Sequence, residues 1–98
     1  MTSNDTNAKG TTMKTKRLGT GHYELAGTTT LDGVQVPVRY NIWKHEMIQC
    51  CWMIEVEING RSTGCYGDHG SKATAVYVAK KCSQIGYQTV PGLGICSL

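Results

Sequence analysis

Residues 22–43 read HYELAGTTTLDGVQVPVRYNIW, and this stretch decides the fold. Asp32-Gly33 near its centre is a signal for a two-residue hairpin turn, because both central positions need positive φ and this pair tolerates it well. Pairing outward from the turn sets Leu31 against Val34, Thr29 against Val36, Gly27 against Val38, Leu25 against Tyr40 and Tyr23 against Ile42. All of these fall on one side of the ribbon. The other side receives Thr30/Gln35, Thr28/Pro37, Ala26/Arg39, Glu24/Asn41 and His22/Trp43. One face is apolar and the other mostly polar over five pairs, and a slip of one residue would destroy that separation. Pro37 has no backbone donor, so its strand is expected to be free or bulged on one side there.

Downstream, Lys44-His45-Glu46 reads as a turn. A third strand follows with Cys50, Trp52, Ile54, Val56 and Ile58 on one face and Cys51, Met53, Glu55 and Glu57 on the other. Asn59-Gly60 is a second hairpin turn, which sets Thr63 opposite Val56 and Cys65 opposite Ile54. Gly67-Asp68-His69-Gly70 is expected to break the sheet. Ser71 is a good N-cap, with Asp68 as competitor, and Ala75, Val78, Ala79, Cys82 and Ile85 follow the spacing of one helical apolar stripe ended by Gly86. Tyr87 to Val90 reads as a short last strand stopped by Pro91; the final segment, 92–98, is ambiguous.

Upstream, residues 1–21 are Thr, Asn, Lys and Gly with almost nothing apolar, which predicts a disordered basic tail. Met13 is a candidate internal start. The tail holds Lys9, Lys14, Lys16 and Arg17 against Asp5, whereas residues 22–98 hold six cations against six carboxylates. A domain that grips phosphates usually carries a clear positive excess, and here only the tail does. The fold expected is α+β: an antiparallel β-meander of about four strands over residues 22–98, with one helix packed on one face. Ninety-eight residues allow one domain with a thin core. Neither an apolar span nor a secretory h-region is present, which points to a cytoplasmic chain with no membrane partner.

Chemistry-bearing motifs are sparse. His45 to Gln49 reads HEMIQ, short of the zinc-protease HExxH by its second histidine and set in a turn. Cys50, Cys51, Cys65, His69 and Cys82 are metal-ligand types, but no CxxC pair occurs and neighbouring strand residues point apart. Cys50, Cys65 and Cys82 read as small core hydrophobes, and all five thiols, Cys96 included, as free. Gly67 to Lys72 is a glycine-rich turn into a helix that lacks the P-loop order. The expectation is no catalytic residue, no metal and no cofactor. The polar sheet face offers Arg39, Trp43, Met53, Glu55 and Tyr66, several of them residue types frequent in interface hot spots, so it is the expected partner-binding surface. Lys14, Lys16, Arg17 and Lys72 are candidates for weak nucleic-acid contact.

From Trp52 onward, WMIEVEINGRSTG followed by Gly70-Ser-Lys-Ala-Thr-Ala and Ala79-Lys-Lys resembles the second half of a double-stranded-RNA-binding domain. That resemblance implies β-β-α packing and a nucleic-acid-binding module. Only Lys72 matches the family's basic helix start, Ala73 and Val76 standing where lysines are expected, and the family's first helix is replaced by the Asp32-Gly33 hairpin. The layout, with Ile58-Asn-Gly-Arg-Ser62 ahead of the Ser71 helix, is also similar to small phage proteins that include anti-CRISPR inhibitors. This second resemblance implies a non-enzymatic protein that occludes a binding surface on a protein or ribonucleoprotein complex, such as a CRISPR effector of a phage host.

Overall fold

The computed structural model describes residues 13–48 and 51–98, apart from the side chains of Tyr66 and Asp68. Seven strands and one helix run in the order β1 (Lys14–Gly19), β2 (His22–Leu31), β3 (Val34–Lys44), β4 (Trp52–Ile58), β5 (Arg61–His69), α1 (Lys72–Ile85), β6 (Tyr87–Val90) and β7 (Gly94–Ser97). They form one sheet ordered β5-β4-β3-β2-β6-β7, with β1 also paired to β2. The four-strand antiparallel meander is therefore corrected. The chain is mostly β, a nearly closed mixed barrel whose end strands β5 and β7 approach each other, with a single short helix.

The β2–β3 ribbon pairs in the expected register from His22↔Trp43 to Leu31↔Val34. Asp32 takes φ 53°, as its turn demands. Leu25, Thr29, Val38, Tyr40 and Ile42 point inward, joined by Ile54, Val56 and Ile58 of β4. Helix α1 covers this face with Ala75 and Ala79, both buried, whose small side chains let the helix approach the sheet. Ser71 caps it through Oγ, which accepts from the Thr74 N–H at 3.1 Å. At the other end the Gly86 N–H donates to the Cys82 carbonyl at 2.9 Å, with φ at 100°. The Ser83 carbonyl accepts from buried Thr29 Oγ1 at 2.7 Å, so side chains of the sheet satisfy a helix end.

Four further corrections follow. The tail does not extend to residue 21, because Lys14–Gly19 pairs antiparallel with β2 and Met13 packs on the core; the expectation for residues 1–12 lies outside the described residues. A bulge at Thr63 moves the β4–β5 register by one, so Gly64 pairs with Val56 and Cys65 with Glu55. Cys65 is therefore exposed, while Cys51 is buried; Cys82 is half-buried against the core and Cys50 lies outside the described residues. The Gly67–Gly70 stretch does not break the sheet, since β5 runs on to His69 opposite Trp52. Met53 lies across Gly67, where a Cβ would sit 2.6 Å from the Met53 sulfur and make the end of that side chain shift. Finally, Ile85 is 58% exposed, and the inward positions of the last turns are Ala79 and Ser83.

The C-terminal hairpin carries the parallel element. Strand β6 lies along the end of β2, with Leu31 beside Tyr87 and the Asp32 N–H donating to the Tyr87 carbonyl at 3.0 Å. The hydroxyls of Tyr40 and Tyr87 meet at 2.7 Å inside the core. Among the described residues no helix is long and apolar enough to cross a membrane.

Candidate interaction surface

The inner sheet face is filled by α1, which leaves the outer face to present side chains. Register aligns its residues in rows across the strands. Lys16, Glu24, Asn41, Glu55 and Cys65 form one row, and His22, Trp43 and Met53 form another. Around Trp43 the surface sinks into an open cleft of about 830 Å³. Its floor is His22, Asn41, Trp43 and Glu55, and its walls are the β1–β2 turn at Thr20-Gly21 and the loop from Lys44 to Met47.

Local hydrogen bonds hold these walls. The Lys44 N–H donates to the Gly21 carbonyl at 2.9 Å, and the His45 N–H to the Cys51 carbonyl at 2.8 Å. His45 Nδ1 accepts from the N–H groups of Met47 and Ile48 at 3.1 and 3.2 Å. The imidazole thus acts as a cap on its own loop. Met47 and Ile48 are pushed outward as a result, 87% and 55% exposed.

The expected partner residues divide. Trp43 is half-buried and Glu55 shares its cleft, where the Glu55 carboxylate accepts from Ser62 Oγ at 3.3 Å. Met53 belongs to the same face but lies over Gly67, with the Cys51 thiol 3.9 Å from its sulfur. Arg39 sits four residues along β3 from Trp43, bridging Glu24 at 3.4 Å and Glu57 at 3.3 Å. It ties three strands together, outside the cleft. The Tyr66 backbone pairs with Ile54, away from the outer row expected for it, and its side chain lies outside the described residues.

The basic candidates divide too. Lys14 and Lys16 pair with Ala26 and Glu24, on the outer side, while Arg17 pairs with Tyr23, on the helix side. Lys72 extends its ammonium over the Tyr23 ring at 4.1 Å from the centroid. Residues missed in the sequence are His22, Asn41, His45, Glu46, Met47 and Ile48. The available signal was Met47-Ile48, two large apolar residues in an otherwise polar turn.

No group of three or more His, Cys, Asp or Glu residues is placed to hold a metal ion among the described residues. Burial pushes the Cys65 thiol up, and the nearby Glu55 charge adds to this; burial alone raises Cys82. Both are therefore held as thiols, away from the thiolate that acts as nucleophile or ligand. No family model, curated protein or solved structure matches this chain.

Proposed function

We propose that this protein is a non-enzymatic interaction protein that docks the Trp43 end of its outer sheet face against a larger protein or ribonucleoprotein complex and occludes the surface it covers. The observation that carries this reading is the cleft itself. A half-buried tryptophan shares the cleft with Met47, and Met47 and the adjoining Ile48 expose large apolar surface on a loop capped by His45. Exposed apolar groups gathered at one place mark contact sites, and Trp and Met are enriched in the centres of protein interfaces. His22, Asn41 and Glu55 on the floor and Glu46 in the wall supply the polar groups beside Trp43. The similarity of the Ile58–Ser62 hairpin to phage inhibitors makes a host nucleic-acid-processing complex, such as a CRISPR effector, the first partner to test.

The test is a binding titration of wild-type, Trp43→Ala and Met47→Asp proteins against that complex. Truncating a tryptophan anchor costs about 2–4 kcal/mol at an interface, so affinity falls at least about 30-fold. Both variants keep a cooperative thermal transition. Undiminished binding by both, or loss of the transition in Trp43→Ala, defeats the assignment.

A further inference from the structure

We propose that α1 and the edge strand β1 form a second surface, on the opposite side of the sheet, that binds single-stranded nucleic acid. It does not rest on the docking role of the Trp43 cleft. The first observation is charge segregation. Strand β1 and helix α1 carry Lys14, Lys16, Arg17, Lys72, Lys80 and Lys81 and no carboxylate. The other described residues hold three cations against six carboxylates. Lys14 and Lys16 face the outer side with Ala26 and Glu24, so the helix side gathers Arg17, Lys72, Lys80 and Lys81 with no carboxylate on either element.

The second observation is the shape of that side. Between β1 and α1 runs a groove of about 360 Å³ lined by Thr15, Lys72, Ala73, Val76, Tyr77 and Lys80. Lys72, Val76 and Lys80 are successive turns of one helix row, and the two ammonium-bearing positions are about 12 Å apart along the axis. Tyr77 is 62% exposed, with the Lys81 ammonium 5.8 Å from its ring centroid. Apolar floor, exposed ring and flanking lysines match what an unpaired strand presents: base faces for stacking and phosphates at intervals. A duplex hides its base faces and offers Tyr77 nothing to stack on. An acidic polypeptide satisfies the lysines and leaves the ring unused.

The experiment is a fluorescence-anisotropy titration of the full chain with a labelled oligothymidylate of about 15 nucleotides, between about 50 and 200 mM salt. The expected result is saturable binding whose log–log salt slope is about −2 to −3, the value for three or four phosphate contacts on a single strand. Lys80 and Lys81 are exposed, so the double charge reversal Lys80→Glu, Lys81→Glu leaves the thermal transition unchanged and weakens binding at least about tenfold. The neutral pair Lys80→Gln, Lys81→Gln weakens it less, and serves alone if the reversal perturbs the fold. Tyr77→Ala weakens binding about tenfold while Tyr77→Trp retains it. Trp43→Ala leaves it unchanged, which separates this surface from the docking cleft. Absence of binding at low salt, or indifference to the lysine changes, overturns the proposal. Competition by polyglutamate as effective as by unlabelled oligonucleotide also overturns it, in favour of an acidic polypeptide.

Discussion

Asp32 stands at the tip of the β2–β3 hairpin, and its carboxylate accepts from the Thr89 N–H at 2.8 Å and from Thr89 Oγ1 at 2.6 Å. These bonds hold its carboxyl below the usual carboxylate range and clasp the C-terminal hairpin to the first turn. A group depressed in the folded state contributes stability above its unfolded pKa, about 3.9, and loses it as pH falls through the folded value. Asp32→Asn keeps a residue that tolerates positive φ but removes the charge. Its melting temperature is expected below wild type at neutral pH, with the gap closing below about pH 4. A gap that persists unchanged into acid would show that the charge is not the cause. Thr29→Val is the second residue-scale change. It preserves shape but removes the hydroxyl that satisfies the Ser83 carbonyl, so denaturant unfolding should report a loss of about 1–2 kcal/mol.

Among the elements, β2–β3 was readable to the residue because a two-residue turn and strict alternation of Leu25, Val38, Tyr40 and Ile42 agree on one register. Strand β4 followed from the same alternation. The bulge at Thr63 was not readable: Asn59-Gly60 sets the first two pairs, but nothing in RSTGC announces the extra residue that turns Cys65 outward. Alkylation under native conditions tests this register. Cys65 should be modified at alkaline pH, since its thiol is raised, while Cys51 reacts only on unfolding; early modification of Cys51 with Cys65 protected would restore the unbulged pairing. Strand β1 was hidden for another reason. KTKRLG has no apolar alternation, because it is an exposed edge strand stabilised mainly by its ladder to β2 and by Met13. Its lysines are also what keeps such an edge from pairing with other chains. A chain starting at Thr20 should melt below one starting at Met13; equal melting temperatures would mean that β1 adds nothing to the fold.

For the molecule as a whole, local reading reached the one-helix core and missed the closure. Parallel pairing of β6 to β2 joins residues more than fifty apart, and no periodicity within either strand records it. The candidate site shows the same limit. Trp43, Glu55 and His22 were legible as outer-face residues from alternation and pairing, whereas His45 and Met47 join them only through the loop that folds over the sheet. Net charge misled as well, because residues 14–19 of a tail treated as separate form a strand paired with β2, and Thr15 there borders the groove beside the helix. The Trp43 end of the outer face is the surface proposed to be covered by a partner. Hydroxyl-radical footprinting of the protein, free and in its isolated complex, tests this most directly, because Trp43 and Met47 carry oxidisable side chains in the cleft. Oxidation of both is expected to fall several-fold on complex formation. Unchanged oxidation of Trp43 and Met47 in a complex that co-elutes as one species would contradict it.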